Sequence, residues 1–164
     1  MFKLTVDGQS VLLRALKQIE HEVSDWRPAW AECEQLFYLI EARQFGSEGG
    51  RGGDRWQALS AAYKAWKEVH YPGKPILVRE GDLKASLTGK DNKYSIREVL
   101  PMSLTLGSAH PAATAHQRGA GRLPRRSPLI ITNSDMGQFT RRMLKRMQTV
   151  GSQAGFQTAT QGGL

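Results

Sequence analysis

The residues of this chain that could do chemistry are four histidines, one cysteine and a loop dense in arginine. A metal centre needs His, Cys or carboxylate ligands at characteristic spacings. His21, His70, His110 and His116 form no such set with Cys33 or a carboxylate, and there is no His-Glu-x-x-His. Cys33 falls in an apolar periodic segment, where a thiol is ordinarily inert core rather than a nucleophile. His116 lacks an orienting partner for proton shuttling, so it reads as a residue that hydrogen-bonds the loop after it. Acidic residues are sprinkled along helices opposite Lys and Arg, and none lies in the arginine loop to act as general acid or base. No catalytic residue, cofactor site or metal ligand is expected, and the chain is not expected to be an enzyme.

The arginine loop runs from His110 to Ile131. His116, Gln117 and Gly119 open it, and Pro124-Arg125-Arg126-Ser127-Pro128 delivers the chain into Leu129-Ile130-Ile131. Pro124 and Pro128 fix φ and hold their predecessors extended, so Arg125 and Arg126 are expected on a stiff, exposed segment. Arg118 and Arg122 extend the same surface. Arg141, Arg142, Lys145 and Arg146 add a cationic band on a following helix, opposite a methionine-rich stripe. Residues 114–164 hold 8 Lys/Arg against 1 Asp/Glu, a net of +7 out of the chain's +8. Such a pole can meet nucleic acid, an acidic protein surface or solvent.

Other chemistry is poorly supplied. Gly46 to Asp54 carries five glycines in nine residues, yet a helix leads into it and no Gly-Lys-Ser/Thr follows, so it reads as a flexible surface loop rather than a phosphate cradle. The N-terminus lacks an apolar signal core and no stretch of eighteen apolar residues occurs, so neither export by signal peptide nor membrane spanning is expected. A single cysteine excludes an intrachain disulfide framework and fits a reducing compartment.

Around these residues the pattern predicts an α+β fold: N-terminal helices packed with a small, mostly antiparallel sheet and a C-terminal amphipathic helix. Phe2 to Val6 alternates as a short strand. Val11 to Val23 and Trp30 to Gln44 have helical spacing, broken at Asp25-Trp26-Arg27-Pro28, giving an antiparallel pair or one kinked rod. Trp56 to Val69 reads as a helix with Trp56, Leu59, Ala62, Tyr63, Trp66 and Val69 on its apolar side. Ile76-Leu77-Val78 reads as a strand, Gly81 to Leu87 as one helical excursion or a wide turn, and Tyr94–Leu100 with Met102–Leu106 as a hairpin or meander. Leu129 to Thr132 reads as a further strand. Asn133-Ser134-Asp135 then caps a last helix whose core stripe is Met136, Phe139, Met143, Met147 and Val150. The organisation expected is a single domain over residues 1–150, with the Gly-rich loop at 46–54, and a flexible tail at 151–164.

Several pieces, in this order, resemble the phage virion morphogenesis family, the tail completion proteins of tailed bacteriophages. They are Arg55-Trp56-Gln57-Ala58-Leu59-Ser60 after the Gly-rich loop, Gly73-Lys74-Pro75-Ile76-Leu77-Val78-Arg79-Glu80-Gly81-Asp82-Leu83-Lys84-Ala85-Ser86, and a strand pair ending near Gly107. An Ala-His-Gln-x-Gly element matches Ala115 to Gly119, a Pro-Arg-Arg-x-Pro-Leu segment matches Pro124 to Leu129, and an Asp-bearing helix follows from Ser134. The likeness spans roughly residues 45 to 147. It implies a structural virion protein at the head–tail joint or neck, made in the bacterial cytoplasm. Its implied partners are other tail and neck proteins, copies of itself in a ring, and packaged DNA. A second reading is a free DNA- or RNA-binding module using Arg118, Arg122, Arg125, Arg126 and the Arg141 to Arg146 face. No helix-turn-helix or zinc-finger signature supports it, and the stacking aromatics sit mostly in helices away from the cationic pole.

Overall fold

Trp26 sits at the corner from which the two N-terminal helices diverge. In the computed structural model, which describes residues 9–53 and 55–153 and side chains from residue 13 on, α1 spans Gln9–Val23 and α2 spans Arg27–Gly46. The Trp26 indole donates to Val23 O (2.9 Å), closing α1, while Asp25 accepts the Arg27 amide at 3.0 Å and Pro28 lies in the first turn of α2. Among the described residues α1 packs on the C-terminal helix rather than folding back along α2, so of the two arrangements expected the antiparallel pair does not form. The expected strand Phe2–Val6, the Ser10 side chain and the tail from residue 154 lie outside the described residues.

The protein is α+β, and α2 is its axle. Nine of the 20 residues of α2 are buried, and they fall around the helix rather than on one stripe. That suits a helix packed on several sides, here by α4 (Asp82–Thr88), by the sheet and by α6 (Asn133–Gln153). The sheet is one antiparallel hairpin, β1 (Ser95–Leu100) and β2 (Ser103–Ser108), with Leu100 opposite Ser103 across Pro101-Met102. Its turn is fixed to the α1–α2 corner: Trp26 N donates to Pro101 O (2.8 Å) and Trp30 Nε1 to Leu100 O (3.1 Å). Arg97 on β1 pairs with Glu34 on α2 (Nη2 to Oε2, 2.9 Å), and the Tyr38 hydroxyl donates to Glu34 at 3.0 Å. The guanidinium holds the Glu34 carboxyl below its usual range, whereas burial, then the Glu34 bond, pushes the Tyr38 phenol up to about 12.

The Leu83-x-x-Ser86 element is structural. Three residues apart on α4, both side chains face inward: Leu83 joins Phe37, Phe45, Trp56, Val78 and Leu87 in the core, and Ser86 Oγ meets Ser108 Oγ at 2.6 Å. Burying Leu83 and Leu87 contributes roughly 2 kcal/mol each.

Two expected strands are absent. Ile76-Leu77-Val78 is a turn, with Leu77 at φ +60° and Val78 N donating to Pro75 O. Leu129 to Thr132 joins no ladder, because its amides are taken by side chains: Gln117 accepts from Leu129 N, Glu41 from Ile130 N and Asp135 from Thr132 N. The Trp56–Val69 helix is also shorter. Its helical part, α3, is Ala61–His70, capped by Ser60 Oγ accepting from Tyr63 N. Nine of its ten residues are exposed, Tyr63, Trp66 and Val69 included. The aromatic rings cover one another instead, Trp66 stacking on His70 at 4.5 Å and near Tyr63 at 5.5 Å.

The Gly-rich segment is fastened rather than loose. Gly49, at φ +93°, lies under the indole of Trp56, and Gly50–Gly52 forms a short 3-10 turn. Arg51 from this turn pairs with buried Asp135 at 2.6 Å. Here glycine supplies close approach and a left-handed backbone, where the composition alone suggested mobility.

The C-terminal helix is rotated relative to its hydrophobic pattern. Thr132, not Asn133, caps α6: Thr132 Oγ1 accepts from Asp135 N (3.2 Å) and Asp135 Oδ2 accepts from Thr132 N (2.9 Å), a reciprocal capping box. Asp135, Phe139, Arg142, Arg146 and Val150 form the inward face, while Met136 and Met147, expected in the core, are exposed with Leu144. Two ion pairs set that rotation, Arg51–Asp135 and Arg146–Glu22. α6 also runs past residue 150 to Gln153.

Candidate functional site

Helix α5 (Pro111–Arg118) starts at His110, whose ring accepts from Ala112 N, and ends at Gly119, where φ +77° turns the chain. A Cβ at Gly119 would sit 3.3 Å from both Arg125 N and Leu123 O, so the return of the chain needs this glycine. From Gly119 to Thr132 the backbone is a strap with a tight turn at Ala120–Leu123 and no sheet beneath it.

Side chains hold the strap down. The Gln117 amide donates to Leu129 O (2.9 Å) and accepts from Leu129 N (3.2 Å), imitating a strand partner. Ser127 O accepts from both Gln44 Nε2 (3.0 Å) and Trp56 Nε1 (3.1 Å). Arg126 N donates to His116 O at 2.9 Å, and Pro128 is fully buried. His116 therefore shapes the loop through its carbonyl rather than its ring. Burial, then the nearby Arg126 charge, holds its imidazole below the ordinary value, and its buried Nδ1 has no partner among the described residues. Replacing Gln117 with leucine is expected to cost about 2 kcal/mol, because two half-buried backbone groups of Leu129 lose their partner. Urea unfolding checks this, and an unchanged midpoint would count against the fastening.

Three of the eight cations expected to meet a partner turn inward. Arg126 is 5% exposed, with Nε donating to Gln57 O (2.6 Å) and Nη2 to Ala58 O (2.9 Å), so it tethers the approach to α3 and is not on the exposed segment expected. Its long fork reaches two carbonyls left without ladder partners by the irregular 55–60 stretch. Arg146 pairs with Glu22, and half-buried Arg142 lines a small hollow with Glu32, Leu36 and Leu39 of α2. Arg118, Arg122, Arg125, Arg141 and Lys145 remain exposed. The cations thus form two groups with different neighbours rather than one band.

Between α3 and the strap lies a cleft of about 790 Å³. His116, Arg122, Pro124 and Arg126 come to it from the strap side, and Tyr63 and Lys67 from α3. The α6 cations are not among its lining residues. Lys67 escaped the sequence reading, although it follows Tyr63 by four residues and so shares its face. Its ammonium donates to Pro75 O at 2.5 Å, and burial holds it below the ordinary lysine value. Also missed were the burial of Glu41, which helical spacing set on the outward side of α2, and the Arg51–Asp135 pair near it; Gln44, on the inward side of that spacing, is buried as expected.

Fold and site together define a small α+β protein whose arginine-bearing strap is bolted by side chains over a helical axle. Comparison with known proteins returned no matching family model, no matching curated protein and no matching solved structure. Among the described residues no group of His, Cys, Asp and Glu is placed to hold a metal ion, and no helix is long and apolar enough to cross a membrane.

Proposed function

We propose that the chain is a structural protein of the phage virion, of the tail completion or neck type, acting through protein–protein contacts at the head–tail joint. The observation that carries this reading is spatial. Three segments that resemble the phage virion morphogenesis family are far apart in sequence yet interlock: Trp56-Gln57-Ala58, His116-Gln117 and Arg126-Ser127-Pro128-Leu129. In these three segments the resembling residues fasten the strap, and such residues belong to a scaffold that presents a surface.

The outward surfaces suit assembly. Met136, Leu144 and Met147 form an exposed apolar stripe on α6 with Arg141 and Lys145 alongside, and Arg118 at the end of α5 and Arg122 and Arg125 on the strap are exposed. Apolar anchors edged by cations fit an acidic protein neighbour, and repetition around a ring multiplies weak contacts. A nucleic-acid reading keeps only the five exposed cations, without a stacking platform beside those on α6.

Interrupting the gene by a stop codon in a phage genome is expected to leave filled heads and tails that fail to join, with joining restored by the protein supplied in trans. Normal infectious particles without the protein would refute the reading.

A further inference from the structure

Two cations with no carboxylate partner border the same cleft. Lys67 is 4% exposed and Arg126 is 5% exposed, and among the described residues neither has an acidic oxygen within 4.0 Å. Glu48 and Glu68 act on Lys67 only from farther away, and Glu48 Oε1 is already taken by Ile76 N. A buried charge without a counter-ion is costly, and in a cleft such a group marks a place where a ligand could supply the missing charge. Both cations have donors to spare. Lys67 uses one of three on Pro75 O, and Arg126 uses Nε and one hydrogen of Nη2, leaving three N–H groups.

We propose that this cleft is a receptor for a single carboxylate carried on an apolar peptide segment of another protein, with Lys67 and Arg126 as the groups that bind it. The remaining walls identify the ligand class. Leu59, Leu77, Val78, Leu83 and Leu123 give the cleft apolar sides, which a peptide with apolar residues flanking its carboxylate would cover. Glu80 and Asp82 also border the cleft, so a chain with a charge at every unit, such as a nucleic acid, would bring phosphates against carboxylates. A lone acidic side chain avoids that repulsion and meets the planar fork of Arg126. Exposed Arg122, from the strap, adds long-range attraction at the mouth. The inference does not depend on the virion assignment, since it concerns the chemistry of the cleft alone.

The test uses the full chain and two blocked tripeptides, acetyl-Leu-Glu-Leu-amide and its neutral isostere acetyl-Leu-Gln-Leu-amide, followed by amide chemical shifts. The acidic peptide is expected to bind at least about tenfold more tightly, the scale of a charge-assisted hydrogen bond. Its shifts should centre on Ala58, Lys67 and Ile76. Lys67→Met, which keeps the apolar stem, should erase the preference. Equal binding of the two peptides, shifts centred elsewhere, or a preference retained in K67M would overturn the proposal. Tighter binding of an oligothymidylate than of the acidic peptide would also overturn it, in favour of nucleic acid. The wild-type comparison stands alone if K67M does not fold.

Discussion

Replacing Gly49 with alanine is expected to lower stability by roughly 3 kcal/mol, the combined scale of a left-handed backbone forced on an L-residue and of an overpacked core. The added Cβ would fall 2.4 Å from Trp56 Cδ1, and φ at this residue is +93°. Trp56 cannot simply withdraw, because its Nε1 is bonded to Ser127 O and its N to Glu48 O. The strain should therefore reach the strap. For a chain of this size the loss corresponds to a fall in Tm of roughly 6–12 °C. Thermal melting with tryptophan fluorescence measures both effects, and a change below about 0.5 kcal/mol, the scale of a neutral surface substitution, would mean that the Gly-rich segment is not packed under Trp56. Gly53, also left-handed at φ +109° but with open space about its Cβ position, separates the backbone part of the cost from the packing part.

Glu41 should dominate the pH dependence of folding. It is fully buried; its Oε1 accepts from Ile130 N (3.3 Å), and Oε2 has no partner among the described residues. Burial pushes its carboxyl up to about 8, with Ile130 and Arg51 opposing and nearby Asp135 adding to the rise. The folded protein thus keeps a proton that the unfolded chain releases above the ordinary glutamate value. Stability is full below that value, falls as pH rises, and levels off above about 8. The loss is on the order of 5 kcal/mol. Glu34 and Asp135 work the other way: Arg97 holds Glu34 low, and at Asp135 burial is outweighed by the Arg51 and Thr132 bonds together, so their contribution vanishes as acid protonates them. Greatest stability is expected near the ordinary carboxylate range. Glu41→Gln keeps the acceptor for Ile130 and cannot ionise, so it should flatten urea midpoints between about pH 5 and pH 8 and raise stability at the upper end. An unchanged slope in E41Q would remove Glu41 as the cause.

The sequence was most legible where one local rule governed one element. The Asp25–Pro28 break, the strand pair at 94–106 and the helical turn at 81–87 follow from caps, period two and period 3.6, and the structure has all three. It misled where a distant polar partner overrode the local pattern. Apolar runs at 76–78 and 129–132 have strand composition, but the distant Glu48, Gln117 and Glu41 take the amides of Ile76, Leu129 and Ile130, and turns close on Val78 and Thr132. On α6 the methionines mark the apolar face, yet Asp135 and Arg146 carry the ion pairs that choose which side turns inward. The strap followed the same logic. Its glycine and prolines announced a fastened loop, whereas the inward turn of Arg126 depends on two carbonyls sixty-eight and sixty-nine positions away. Five exposed cations were readable as surface; the cleft with Lys67 needed the fold.

That the chain is an assembly component presenting a fastened strap is tested most directly by electron cryo-microscopy of the intact particle. The expected map shows copies in a ring at the junction of head and tail, with Arg118, Arg122 and Arg125 against acidic neighbours. A particle complete at that junction without this chain, or the chain isolated from cells bound to nucleic acid and absent from virions, would contradict it.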